Sequence, residues 1–120
     1  MKWTNTEYAT GNGERNDCSV RAYAVAACVS YESAHQLYTK HGRLPGKRTR
    51  YMTTTLVLRE TFPNATSLSP YISLNRFVAM NPKGHFILHT KSHAFALCDG
   101  IVHDWGNHPR YRILEAWKLV

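Results

Sequence analysis

Hydrophobic and polar positions follow two different periods in the two halves of this chain. Apolar residues recur at helical spacing at Cys18, Ala22, Val25, Ala26 and Val29, which predicts a helix from Cys18 to Val29. The other faces of this segment are apolar as well, so we expect a helix that is buried all round. From residue 84 onward, short apolar runs separated by turn residues are typical of strands instead.

The remaining elements are predicted from their end signals. One helix is expected between Ser30 and Gly42, since glycine is a common helix stop, and two more over 49–61 and 73–80. Strands are expected over 84–90, 94–98, 101–105 and within 111–120. Helices followed by strands predict an α+β fold in a single domain over 1–120, with N-terminal helices packed on a C-terminal antiparallel sheet.

Composition narrows the class of protein. Hydrophobic residues make up 43% of 120 residues, enough for a real core. The first residues show no signal-peptide pattern, and the longest mostly apolar stretch, Ala22 to Val29, is far too short to span a bilayer. We therefore expect a cytoplasmic protein that does not associate with membranes.

The cysteines and histidines do not form a metal or disulfide pattern. Three cysteines with no CxxC pair argue against a disulfide framework and a structural zinc site. His85, His89 and His93 are evenly spaced, but Lys91-Ser92 is expected to interrupt the strand between them, and no HExxH pattern exists. The prediction is no metal and no cofactor.

Basic residues are concentrated in one short segment of a chain whose formal charge is +7. Lys47, Arg48 and Arg50 follow a Pro-Gly turn, so their side chains are expected to lie in solvent. The plain interpretation is a solvated loop. The alternative is a patch that binds an anionic partner, either nucleic acid or a protein.

Cys18 is the candidate nucleophile because it opens the first predicted helix. The positive end of the helix dipole stabilises a thiolate there. His93 and Asp104 follow far downstream. A thiolate that attacks a carbonyl carbon, an imidazole that transfers the proton and an acid that orients the imidazole form a catalytic triad in this chain order.

The register of the predicted hairpin gives an approximate distance between His93 and Asp104. If Asp99-Gly100 is a two-residue turn, Phe95 faces Asp104 across the hairpin, and His93 lies on the same face. His93 and Asp104 are then diagonal neighbours with Cα atoms about 7–8 Å apart. Asp99 lies at the opposite end of the hairpin and is interpreted as a turn former.

Several further side chains have predicted roles. An oxyanion hole needs hydrogen-bond donors, and the candidates are the Cys18 backbone N–H with the side-chain amide of Asn12 or Asn16. Arg21 is expected to pair with a carboxylate or cap a loop. The predicted core includes Cys28 and Cys98. Trp3 and Trp105 are also interpreted as core residues, with walls of the site as the alternative.

The first helix opens with Asn16-Asp17-Cys18-Ser19-Val20-Arg21-Ala22, and the hairpin with Ser92-His93-Ala94-Phe95-Ala96. These segments resemble the nucleophile and histidine motifs of small papain-like cysteine hydrolases, including compact versions encoded by bacteria and phages. The resemblance implies a papain-like fold with the nucleophile at the start of the central helix. It also implies the host cytoplasm as location if the chain is phage-encoded. That family usually has an oxyanion glutamine where this chain has Asn12.

Residues and resemblance together predict a cysteine hydrolase or acyl transferase that acts on an amide, isopeptide or thioester carbonyl of a protein or peptide. Cys18, His93 and Asp104 are the expected catalytic residues. The alternative is a non-catalytic binding module on the same scaffold, whose basic surface holds nucleic acid or a host protein. A small nucleic-acid binder of another fold is the third hypothesis.

Overall fold

The computed structural model describes residues 1–5 and 16–120, and these residues form four helices and eight strands. The helices are α1 (Cys18–Ala26), α2 (Tyr31–Lys40), α3 (Tyr51–Thr61) and α4 (Leu74–Met80). The strands are β1 (Lys2–Asn5), β2 (Thr66–Leu68), β3 (Ile72–Ser73), β4 (His85–His89), β5 (Ala94–Cys98), β6 (Ile101–Asp104), β7 (Arg112–Ile113) and β8 (Glu115–Lys118).

The main sheet has six strands in the order β1-β6-β5-β4-β8-β2, and β3 pairs separately with β7. The predicted α+β class is confirmed, but the sheet is neither wholly antiparallel nor wholly C-terminal. The N-terminal strand β1 runs parallel to β6, with Asn5 opposite Asp104. Two parallel strands are not joined by a tight turn, so the sequence contains no hairpin signal from which β1 could be predicted.

The hairpin of β5 and β6 has the predicted register. Leu97 faces Val102, and Cys98 faces Ile101. Asp99 and Gly100 both have positive φ, at 47° and 82°, as a type I′ turn requires. The prediction of the Asp99-Gly100 turn is therefore confirmed.

The sheet separates two hydrophobic cores. On one face, α1, α2 and α3 pack on Ile87, Ala94 and Ala96. On the other, Leu74 and Phe77 of α4 pack on apolar side chains of the sheet, including Phe86, Leu88, Phe95, Leu97 and Val102. The Cα radius of gyration is 13.0 Å, as expected for a compact chain of this length. No helix in the described ranges is long and apolar enough to cross a bilayer.

Helix α1 ends at Ala26, earlier than the predicted Val29. Cys28 has a φ of 58°, and its N–H donates to the Val25 carbonyl while the Val29 N–H donates to the Ala24 carbonyl. This is a Schellman stop, in which glycine is the usual left-handed residue. A cysteine in that position gives no sequence signal, and the stop leaves Cys28 exposed rather than in the core.

Candidate active site

Helix α1 carries Cys18 to the start of β5. The helix packs against that strand through small side chains, Ala22 and Ala26 on the helix and Ala94 and Ala96 on the strand. Small residues let the two backbones approach closely. The Cys18 thiol consequently lies near the ring of His93 and the backbone of Ala94, and both lower its pKa.

The other side of the His93 ring is held by Asp104. The Nε2–H of His93 donates to Asp104 Oδ1 at 2.6 Å, which leaves Nδ1 as the ring nitrogen available to Cys18. Asp104 is only 3% exposed, and the same oxygen accepts the Trp105 backbone N–H at 2.8 Å. Two donors fix the carboxylate, and the carboxylate fixes the orientation of the imidazole.

The pKa values of Cys18 and His93 move in opposite directions. Burial alone would raise the pKa of the Cys18 thiol, but the His93 ring and the Ala94 backbone N–H outweigh it, and this pKa lies below its usual value. Burial alone would lower the pKa of His93, but the hydrogen-bonded carboxylate of Asp104 and the neighbouring Cys18 thiol outweigh it and raise this pKa to about 9. Both shifts favour a thiolate beside an imidazolium over the two neutral groups.

Aromatic rings enclose the imidazole. The ring centroid of His93 lies 5.1 Å from that of Trp105 and 5.6 Å from that of Phe95. Trp105 is 41% exposed and Trp3 is 38% exposed, so the interpretation that both belong to the core is wrong. For Trp105 the alternative, a wall of the site, is confirmed. Trp105 instead covers His93 from the solvent side, since the β6 chain leaves the sheet directly after Asp104.

An ion pair in the first turn of α1 holds Arg21 against the ring of Trp105. Arg21 pairs with Asp17, with Nε and Oδ1 3.0 Å apart, and its Cζ lies 4.8 Å from the centre of the Trp105 ring. Asp17 is 1% exposed and also accepts the Tyr31 hydroxyl at 2.8 Å. The expectation that Arg21 pairs with a carboxylate is confirmed. Asp17 is the N-cap residue, but its side chain does not cap the helix.

The two asparagines proposed for the oxyanion hole differ in what can be said of them. Asn12 lies outside the described residues. Asn16 has a φ of 58°, and its Nδ2 donates to the Gly46 carbonyl at 3.0 Å. One of its two amide protons is thus used to hold the segment before α3, and its oxyanion role stays a prediction.

A cleft of about 800 Å³ opens over Cys18 and His93. Its walls come from the start of α1, the segment before α3, the β2–β3 and β4–β5 loops, and the chain near β8. Arg48 and Arg50 are exposed and line this cleft, whereas Lys47 is exposed but does not line it. The basic segment, interpreted as a solvated loop with a partner surface as the alternative, therefore lies partly at the candidate active site.

The remaining cysteines and Asp99 lie away from this site. Cys28 Sγ is 3.8 Å from His85 Nδ1, which contacts the Ala26 carbonyl at 2.9 Å. Cys98 is half-buried, and burial, with smaller contributions from Cys28 and Asp99, raises its pKa to about 12. Asp99 Oδ1 accepts the Gly84 N–H at 2.9 Å, consistent with its expected role in the turn.

No metal-binding group emerges from residues 1–5 and 16–120, where no three His, Cys, Asp or Glu side chains are placed to share an ion. His89 lies beside the cleft with Nδ1 3.5 Å from Glu115 Oε1. Burial lowers its pKa and outweighs the opposing effect of Glu115. His89 is therefore a neutral wall of the cleft at pH 7.

The sequence did not indicate two features of the site. The cation–π contact between Arg21 and Trp105 joins residues far apart in sequence, and Glu115 reaches the cleft only through the pairing of β8 with β4. The Gly-Asn segment after Trp105 indicates that this tryptophan lies in a turn rather than in a core strand.

Comparisons with protein-family models, curated proteins and solved structures found no significant match to this chain.

Proposed function

We propose that this chain is a cysteine hydrolase or acyl transferase acting on an amide, isopeptide or thioester bond. The observation that carries the proposal is that Cys18 and His93 line one cleft and that His93 Nε2 lies 2.6 Å from Asp104 Oδ1 on the other side of the ring. The opposite pKa shifts of Cys18 and His93 support it. On this proposal the scaffold is papain-like, as the motif resemblance implies, and the protein works in the cytoplasm.

The proposed reaction has two halves. The Cys18 thiolate attacks the carbonyl carbon, the bond to the leaving amine or thiol breaks, and the His93 imidazolium gives its proton to the leaving group. The acyl group is then bound to Cys18. Water or an amine attacks it next, gives a proton to His93 and releases Cys18 as thiolate. Asp104 stays ionised throughout and keeps the imidazole oriented.

The developing oxyanion needs donors near Cys18. The first N–H groups of α1 have no partner within the helix, so that of Cys18 can serve. A side-chain amide completes the proposed hole, supplied by Asn12 or by the second amide proton of Asn16.

The competing proposal is a non-catalytic binding module on the same scaffold. It is favoured by the exposure of Lys47, Arg48 and Arg50, which suits an anionic partner such as nucleic acid or a host protein. A binding module needs no activated thiol, so the reactivity of Cys18 separates the two proposals.

Alkylation by iodoacetamide at about pH 6 tests the proposed function, since an ordinary thiol with a pKa of about 8.5 is almost wholly protonated there. We expect Cys18 to be labelled at least about tenfold faster than Cys28 or Cys98, as followed by peptide mass spectrometry. Cys28 is an internal control because it is the more exposed thiol. Equal labelling of Cys18 and Cys28, or labelling of Cys28 alone, would contradict the proposal.

A further inference from the structure

Three cations lie around the cleft above Cys18. Arg48 and Arg50 come from the segment before α3, and Lys91 comes from the β4–β5 loop two residues before His93. All three side chains are exposed. We name Arg48, Arg50 and Lys91 the cationic rim.

The segment carrying two of these cations is fixed beside the nucleophile. Asn16 Nδ2 donates to the Gly46 carbonyl at 3.0 Å, and Arg43 donates to the Asn16 carbonyl at 3.3 Å. Arg43 is 3% exposed, so this link is anchored in the protein interior. Asn16 lies two residues before Cys18. These hydrogen bonds therefore hold the segment with Arg48 and Arg50 next to the start of the helix that carries the thiol.

No carboxylate of the described residues balances the charges of the rim. Within residues 1–5 and 16–120, no Asp or Glu forms an ion pair with Arg48, Arg50 or Lys91. The cleft also contains Arg21 and Asp17, which neutralise each other, and Glu115, which lies against His89. The described walls thus carry an excess of positive charge, on groups suited to hold carboxylates.

We infer that the cationic rim selects the substrate, and that the substrate is an acidic peptide segment with Asp or Glu side chains flanking the carbonyl that Cys18 attacks. This inference rests on the proposed function. It makes Arg48, Arg50 and Lys91 specificity-determining residues. It also moves the anionic partner of the basic segment from a separate surface into the candidate active site.

The surroundings of the rim favour a peptide over a nucleic acid. The cations share the cleft with a nucleophile whose target is an acyl carbon. Exposed aromatic rings line the same walls, Tyr71 at 60% and Trp105 at 41%, and offer contacts for apolar side chains.

Three acetylated peptide vinyl sulfones test the inference, because each alkylates a thiol only after it binds. They share one sequence with glutamate, glutamine or lysine at alternate positions. We expect the glutamate probe to label Cys18 about two- to fivefold faster than the glutamine probe for each cation engaged, with the lysine probe slowest. The preference should shrink as salt rises to about 1 M, where the screening length is about 3 Å.

Rim variants locate the effect. R48Q, R50Q and K91Q should each reduce the glutamate-to-glutamine rate ratio, and the triple variant should bring it near one. K47Q removes the same charge from the same segment but outside the cleft, so it should keep most of the ratio. Iodoacetamide rates at Cys18 should change less than about twofold in all four variants, since they report the thiol rather than the rim.

The results separate the inference from the proposed function. Normal iodoacetamide labelling without a glutamate preference, or a preference that R48Q, R50Q and K91Q leave intact, would overturn the inference alone. An unreactive Cys18 would overturn the proposed function. In that case fluorescence anisotropy with C18A decides: rim-dependent binding of the acetylated glutamate peptide would support an acidic peptide ligand, and rim-dependent binding of a single-stranded oligonucleotide in its place would overturn it.

Discussion

Each of the three cysteines has a different environment, and this difference gives the candidate site its clearest test. Cys28 is exposed, Cys98 is half-buried with a raised pKa, and Cys18 is half-buried with a lowered one. Exposure and acidity therefore vary independently within one protein. If Cys18 reacts first, accessibility cannot be the explanation.

The pH dependence of alkylation isolates the contribution of His93. The pKa of Cys18 is lowered by His93, while the pKa of His93 is raised to about 9. H93A removes one of the groups that oppose the effect of burial on the Cys18 pKa, so the midpoint of Cys18 alkylation should move to higher pH. At about pH 6, Cys18 of the wild type should be alkylated faster than Cys18 of H93A. The ratio of the two rates should be about tenfold for each unit by which the substitution raises the thiol pKa.

The same comparison should fade at alkaline pH. As pH rises through about 9, His93 loses its proton and the thiolate loses the charge beside it. The rates of wild type and H93A should then converge. A constant ratio between about pH 6 and 10 would mean that His93 acts on Cys18 sterically rather than through its charge.

Asp104 and Asp99 form a matched pair of carboxylates at opposite ends of one hairpin. D104N should slow Cys18 alkylation at about pH 6 by roughly tenfold or more, because the amide cannot stabilise the imidazolium. D99N should change it less than about twofold, since Asp99 contacts Gly84 and His85 rather than His93. Circular dichroism and the melting temperature would show that both variants fold. Equal slowing by the two substitutions would disprove the assignment of Asp104.

At the scale of elements, two glycines with similar backbones predict different losses of stability. Gly42 and Gly84 have φ of 100° and 103°. An added Cβ at Gly42 meets nothing within 4 Å, whereas at Gly84 it would lie 2.8 Å from the backbone oxygen of Val120. G42A should lower the free energy of unfolding by about 1 kcal/mol through backbone strain alone.

G84A should lower it further, by about 1–3 kcal/mol beyond G42A, because backbone atoms must move. Urea denaturation of the two variants measures the difference. The displaced atoms belong to the start of β4 and the end of the chain, whose pairing includes the His85 N–H to Val120 carbonyl bond of 2.9 Å. Equal free energies of unfolding for G42A and G84A would show that the backbone near Val120 moves away from the added Cβ at little cost.

Elements with a local signal were predictable from the sequence. Asp99-Gly100 determined the turn and hence the register, and Ser30 was correctly predicted to precede α2, where its hydroxyl accepts the Ser33 N–H at 3.1 Å. Elements without one were missed. The short strands β1 and β2 form only through partners distant in sequence, with β1 on β6 and β2 on β8. The sequence of a turn predicts the register of a hairpin, but it does not predict which strand pairs in parallel with another.

At the scale of the whole molecule, the candidate site depends on contacts that local patterns do not encode. The hairpin register alone brought His93 near Asp104. That Arg48 and Arg50 line the cleft follows from the Asn16–Gly46 hydrogen bond, which joins two loops. Loop–loop contacts have no periodicity, so charge clustering could indicate a basic surface without indicating what it faces.

The sheet order has a consequence for the growing chain. Strand β1 precedes its neighbour β6 by four strands and four helices along the chain, so it leaves the ribosome well before β6 does. Likewise Cys18 emerges long before His93 and Asp104. Until His93 and Asp104 have been synthesised, the thiol has no imidazole to lower its pKa, and a nascent chain that stops before His93 carries an ordinary cysteine there. Activation of Cys18 therefore waits for synthesis of the hairpin of β5 and β6.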